Sequence, residues 1–128
     1  MYGPLRILVA EDNEANRMLL KIILGRLGYY PDWAEDGLEA LHRIRQTPYD
    51  IVLLDIQMPR MDGLEVVTLI KRELLPWSLP VFIAVTAFAR QEDRDICLEA
   101  GMDDYVCKPI RRMDIEALLD KWAKVPKG

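Results

Sequence analysis

The chain is poor in the residues that most often announce chemistry. It has one histidine and two cysteines in 128 residues. Cys97 and Cys107 share no metal-ligand spacing with each other or with His42, and a single pair supplies no disulfide framework, so both thiols are expected to be reduced and structural. No apolar run approaches the ~20 residues that span a bilayer. The opening Met1-Tyr2-Gly3-Pro4 has no basic stretch leading into an apolar one. Neither a membrane segment nor a secretory signal is therefore expected, and the location expected is cytoplasmic. Positive charge is also in deficit, with a net charge of -4 and a pI near 5.0. Without clustered Lys and Arg to displace counterions from phosphates, nucleic acid is not an expected partner. Lys121, Lys124 and Lys127 read as cations meeting the C-terminal end of a helix dipole and the tail beyond it.

What is present is a globular balance, 51% hydrophobic and 30% charged, in a length that fits one domain. The domain is expected over residues 1–128, with a core of about 5–123 and a tail at 124–128. Four segments are almost continuously apolar or nearly so: Leu5 to Ala10, Asp50 to Leu54, Val81 to Thr86 and the shorter Asp104 to Cys107. They do not alternate as half-exposed antiparallel strands would, so they fit a parallel sheet covered on both faces. A weaker strand, Tyr30 to Ala34, falls between the first two.

Helical stretches lie between these strands. Ala15, Met18, Leu19, Ile22 and Leu27 are read as the buried face of the first, closed by Gly28 as a left-handed cap. Asp36 and Glu39 resemble a capping box ahead of Leu38, Leu41 and Ile44, and Pro48 ends that helix. Leu64, Val67 and Ile70 stripe a third. Ile115, Leu118, Leu119 and Trp122 mark the last, with Met113 and Asp114 at its entry. Arg90 to Ala100 is polar along much of its length, with Ile96, Cys97 and Ala100 as its main apolar contacts, and is expected to be the least firmly docked. Strand then helix, five times, with right-handed crossovers, makes a doubly wound sheet. Such sheets bind ligands beyond the carboxyl ends of their strands.

At those ends stand Glu11 and Asp12 after the first strand, Asp55 after the third, Thr86 after the fourth and Lys108 after the fifth. Each alone has a structural explanation as a loop residue, cap or solvated side chain. Together they do not, because carboxylates sharing one site repel by about 4 kcal/mol per pair at about 4 Å and an effective dielectric near 20. Lys108 offsets part of this. The remainder calls for a hard divalent cation with oxygen ligands, for which Mg²⁺ is suited. A carboxylate beside such a cation can attack phosphorus, with metal, lysine and hydroxyl stabilising the phosphoryl oxygens. Asp55 is the better nucleophile candidate, since it ends a central strand and precedes an open turn, while Glu11 and Asp12 serve the metal.

Four motifs then carry a resemblance: Val9-Ala10-Glu11-Asp12-Asn13; Leu53-Leu54-Asp55-Ile56-Gln57-Met58-Pro59-Arg60-Met61-Asp62-Gly63; Ala84-Val85-Thr86-Ala87; and Ala100-Gly101-Met102-Asp103-Asp104-Tyr105-Val106-Cys107-Lys108-Pro109. In order and spacing the chain resembles the receiver domains of two-component signalling from Leu5 to about Trp122. The resemblance implies a single five-stranded (βα)5 sheet of flavodoxin-like type with strand order 2-1-3-4-5. It implies that Asp12, Asp55 and the backbone carbonyl of Gln57 bind Mg²⁺, with Glu11 acting through water, and that Asp55 is phosphorylated. Thr86 and Lys108 would hold phosphoryl oxygens, and the Lys108-Pro109 peptide would be cis. Thr86 and Tyr105 would switch the surface made by the fourth helix, fifth strand and fifth helix, where a downstream output partner binds. The phosphodonor would be a histidine kinase or a histidine phosphotransfer protein. The phrasing from Glu11 to Asn16 is most similar to receivers of hybrid histidine kinases and phosphorelays. Such a domain catalyses only its own phosphoryl transfer and slow dephosphorylation. Gln57 and Phe88 flank the expected route of water to the aspartyl phosphate, and an apolar Phe88 cannot orient that water, so slow self-dephosphorylation is expected.

Three other functions are weighed against this reading. A phosphatase of the haloacid-dehalogenase-like kind would want a second Asp two residues after the nucleophile, where this chain has Gln57. A pure interaction module would need none of the site. A flavin carrier of the same fold would be disfavoured by Glu11 and Asp12, which repel phosphate. His42 is read as a helix residue, Trp33, Trp77 and Trp122 as packing, Leu74 to Pro80 as a loop packed on its own domain, and Cys107 as a buried strand residue.

Overall fold

The computed structural model describes residues 5–87 and 90–123. Five strands, β1 (Ile7–Ala10), β2 (Asp32–Ala34), β3 (Ile51–Asp55), β4 (Val81–Thr86) and β5 (Asp104–Cys107), alternate with α1 (Glu14–Arg26), α2 (Gly37–Gln46), α3 (Gly63–Glu73), α4 (Gln91–Ala100) and α5 (Arg112–Trp122). The strands form one parallel sheet in the order β2-β1-β3-β4-β5. Every residue of β1 and β3 is buried, which is why those runs are continuously apolar rather than alternating.

The period of two still decides which helices each residue meets. Ile7, Val9, Ile51, Leu53, Ile83 and Val85 pack with Leu20, Ile23 and Leu24 of α1 and Ile115, Leu118 and Leu119 of α5. Leu8, Ala10, Val52, Leu54, Phe82 and Ala84 face the other way, toward Ala40, Leu41 and Ile44 of α2, Val66, Val67 and Ile70 of α3, and Cys97 of α4. Parallel register aligns the strand ends, with Ala10 beside Leu54, Asp55 beside Val85 and Thr86 beside Cys107. This brings the β-to-α loops to one edge of the sheet.

Helix starts follow the local chemistry. Asn13, Asp36 and Asp62 cap α1, α2 and α3, each side chain accepting from the amide three residues on. Glu39 completes the box one residue early, its carboxylate accepting from the Glu35 amide at 3.4 Å. After α1, Gly28 takes φ 90, as a left-handed cap requires.

Four expectations about burial need correction. In α1, Ala15, Met18, Leu19 and Ile22 face solvent, and the buried face is Leu20, Ile23 and Leu24, with Leu27 partly covered. The helix is apolar around most of its circumference, so periodicity does not select a side, and docking on the sheet does. Leu38 and Ile96 are likewise exposed, because each points from the outer side of its helix, α2 and α4, away from the sheet. In the segment before β4, Leu74 and Leu79 pack on the core while Leu75 and Trp77 point outward from a single 3₁₀ turn. Cys107 is half-buried, since β5 is an edge strand.

Candidate functional site

The site is built where β1, β3, β4 and β5 end. Its cleft, of about 270 Å³, is lined by Asp12, Asn13, Asn16, Asp55, Ile56, Gln57, Thr86, Ala87 and Lys108. Glu11 follows β1 and is buried, its amide donating to the Ala34 carbonyl at 3.0 Å, so it is held as an extension of the sheet. Asp55 is the last residue of β3 and is buried, and Thr86 ends β4 equally covered. The Lys108 amide donates to the Thr86 carbonyl at 2.7 Å, which fixes where the β5 end meets β4.

Carboxylate oxygens of Glu11, Asp12 and Asp55 lie within 4.8 Å of one another. Among the described residues, one cation faces them. Lys108 Nζ donates to Asp55 Oδ2 at 2.9 Å and lies 3.0 Å from Glu11 Oε1. That second contact is an ion pair without hydrogen-bond geometry, and Glu11 Oε1 is buried with no hydrogen bond among the described residues. The second oxygens of Glu11 and Asp55 are each bonded: Asn13 donates its amide to Glu11 Oε2 at 3.2 Å, and Gln57 donates its amide to Asp55 Oδ1 at 3.0 Å.

The energetic consequence is plain in the proton affinities. Burial pushes the Glu11 carboxyl above its ordinary range, and the neighbouring Asp55 carboxylate adds to this more than Lys108 relieves. For Lys108, burial works against the charged form, but its hydrogen bond to Asp55 and its ion pair with Glu11 outweigh that and raise its pKa. Three carboxylates against one ammonium, with a buried oxygen left without a hydrogen bond, fit a hard divalent cation. Asp12 is the exposed member and opens the cluster to solvent.

Glu11, Asp12, Asp55, Gln57, Thr86 and Lys108 are thus gathered at one edge. Tyr105 is not in the cleft. Its half-buried ring packs on the α2–α4 side of the sheet, with the Arg94 guanidinium 4.7 Å from its centroid. The Lys108-Pro109 peptide is cis. Phe88 lies outside the described residues. Sequence reasoning passed over Arg94, and also Arg17, which donates from Nη1 to the Glu11 carbonyl at 2.9 Å. Asn13 and Asn16 also line the cleft, and the Asn13 side chain caps α1 by accepting from the Asn16 amide at 2.9 Å.

Residues 7–120 match the family model of the response regulator receiver domain. The chain belongs to that family. The receiver is 42% identical over 118 residues to the sensor histidine kinase RcsC of Escherichia coli, covering 92% of this chain and 12% of that protein. It is 40% identical over 124 residues to hybrid signal transduction histidine kinase L of Dictyostelium discoideum, covering 93% and 7%. The chain therefore spans a small part of these relatives' length. Among solved structures, it is similar to the receiver domain of a Pseudomonas aeruginosa sensor histidine kinase, with a TM-score of 0.82, 33% identity, and coverage of 96% of this chain and 100% of that one. That structure has a magnesium ion coordinated in its active-site cleft. The present chain is a phospho-accepting receiver domain with an acidic cluster suited to Mg²⁺.

Proposed function

We propose that this receiver takes a phosphoryl group from the phosphohistidine of a kinase or phosphotransfer protein onto Asp55. The observation that carries the assignment is the convergence of three carboxylates on Lys108 at the strand ends. A carboxylate oxygen of Asp55 forms the new P–O bond as the P–N bond to the donor imidazole breaks, and the electron pair stays on the imidazole nitrogen, which takes up a proton. Mg²⁺, when bound, neutralises charge on the transferred oxygens. It would be held by Asp12, Asp55 and the Gln57 carbonyl, with Glu11 acting through water. Lys108 leaves its bond with Asp55 to pair with one phosphoryl oxygen, and the Thr86 hydroxyl donates to another.

Thr86 and Tyr105 then report the change to the face formed by α4, β5 and α5. A groove of about 590 Å³ along β5 and α5, which includes Tyr105, Arg111, Asp114 and Lys121, gives an output partner a surface to read. On the donor side, α1 starts at the cleft rim and exposes Met18, Leu19 and Ile22, an apolar strip suited to a helical partner. Gln57 and Phe88 tune dephosphorylation. A polar replacement of Phe88 is expected to shorten the phosphoryl lifetime, and an unchanged lifetime counts against that role. Cytoplasmic placement follows from the proposed donor. Among the described residues no helix is long and apolar enough to cross a membrane.

The test is a titration with Mg²⁺ and a small phosphodonor or beryllofluoride, followed by intact mass and Trp fluorescence. One adduct per chain, absent in Asp55→Ala, supports the reading. No adduct on the native protein means a domain that signals by binding alone.

A further inference from the structure

The loop between β3 and α3, which carries Gln57, is seated on the first turn of α2. Its ends are tied close to the sheet: the Ile56 amide donates to the Val85 carbonyl at 3.1 Å, and the Gly63 amide donates to the Ile56 carbonyl at 3.0 Å. Its middle leans on α2. Arg60 has φ 69, a left-handed conformation uncommon for a residue with a side chain. Its guanidinium lies 3.6 Å from the carboxylate of Asp36, the residue that caps α2. At the next position the contact is backbone on backbone. A Cβ at position 37 would fall 1.8 Å from the Met61 carbonyl oxygen and 2.6 Å from its carbon. No side chain fits there unless the loop moves.

Gly25, in the last turn of α1, is a control supplied by the same chain. A Cβ there would meet nothing within 4 Å. Neither glycine has a positive φ, so the backbone admits alanine at both positions, yet only at 37 does a neighbour forbid it. The loop transmits displacement efficiently because it is short and internally bonded. The Met61 amide donates to the Pro59 carbonyl at 2.8 Å, and the Gln57 amide donates to Asp55 Oδ1 at 3.0 Å. At the far end, a Cβ on Gly63 would lie 2.5 Å from the Asp55 carbonyl oxygen, so the loop has no slack against β3 either.

We infer that Gly37 is a positioning residue for the metal and phosphoryl site. By leaving room for the Met61 carbonyl, it lets the loop settle on α2 and so sets the aim of the Gln57 carbonyl and the Asp55 carboxylate. The inference rests on the assignment of those two groups as Mg²⁺ ligands. By linkage, α2 and the metal site must sense each other: if the first turn of α2 sets metal affinity, metal must steady that turn.

Calorimetric Mg²⁺ titrations of the native protein, Gly37→Ala and Gly25→Ala, with far-ultraviolet circular dichroism on each, test this. Gly25→Ala should bind like the native protein. Folded Gly37→Ala should bind about tenfold more weakly or worse, the loss typical when a group that orients a ligand is disturbed. Folded Gly37→Ala within about twofold of native overturns the inference, as does an equal loss in Gly25→Ala. Because Gly37→Ala can fail to fold, amide hydrogen exchange on the native protein supplies an independent measurement. Mg²⁺ should slow exchange at Glu39, whose amide is held by Asp36, together with Gln57. Slowing at Gln57 with no change at Glu39 overturns the inference. A native protein that takes up no Mg²⁺ removes the functional reading itself, which separates the two failures.

Discussion

Helices α3 and α4 cover adjacent parts of the same sheet face, yet they are held differently. α3 buries Gly63, Val66, Val67 and Ile70, and its cap Asp62 accepts from the Glu65 amide at 2.8 Å. α4 buries only Cys97, and its N-cap Arg90 makes no side-chain cap bond. The exposed Ile96 and Leu98 add nothing to its docking. α3 therefore forms a fixed wall for the acceptor loop, whereas α4 can shift at small cost. Low local stability is what a moving element requires. The site is rigid where it must aim ligands and loose where it must report their arrival.

The largest expected break in this comparison is Ile70→Ala. Truncating that fully buried side chain should cost about 2–5 kcal/mol in denaturant unfolding, whereas Ile96→Ala should cost under about 0.5 kcal/mol. Equal losses would mean that α4 is docked as firmly as α3.

Caps give the next contrast. Asp62→Ala should lose about 1 kcal/mol, while Arg90→Ser should gain about 0.5–1 kcal/mol by adding a cap that α4 lacks. Amide exchange of α4 should slow in Arg90→Ser. Unchanged exchange would show that fraying at the α4 start is not what loosens it.

A third effect is pH-dependent and belongs to the anchored end of β5. Burial works against the charged form of Asp104, but the Trp122 indole N–H, the Tyr105 amide and Lys121 outweigh it and hold its pKa below the ordinary carboxylate value. A depressed folded-state pKa stabilises above the unfolded value and loses that contribution as pH falls through the folded one. Asp104→Asn should thus cost about 1 kcal/mol at neutral pH, and the difference from native should shrink below about pH 4. A gap that persists unchanged in acid would assign the loss to packing instead.

The smallest effect concerns the contact between the loose helix and Tyr105. Arg94 lies over that ring, and its Nε is buried without a hydrogen-bond partner among the described residues. Arg94→Met should cost about 0.5 kcal/mol. It should also broaden the distribution of Tyr105 ring orientations seen by nuclear magnetic resonance. An unaltered Tyr105 spectrum would show that the cation does not hold the ring.

Much of this architecture is legible from local pattern. The runs Ile7 to Ala10 and Ile51 to Leu54 announce two-sided burial, and the Asp36 cap is visible three residues ahead of the amide it binds. The acidic residues and Lys108 lie next to strand ends, so a parallel sheet brings them together. The face of α1 was not legible, because Met18, Leu19 and Ile22 are as apolar as Leu20, Ile23 and Leu24. Nor was the Arg94 contact, which joins a polar helix to a strand through one cation.

Sequence by itself determined the order of elements and the chemistry at each strand end, because apolar periodicity and caps act over a few neighbouring residues. Tertiary structure decided which side of α1 is covered, how Arg94 meets Tyr105, and that the Met61 carbonyl rests where Gly37 has no side chain. Those outcomes depend on how separate helices seat on a twisted sheet. A backbone oxygen, moreover, carries no mark in the residue type that bears it.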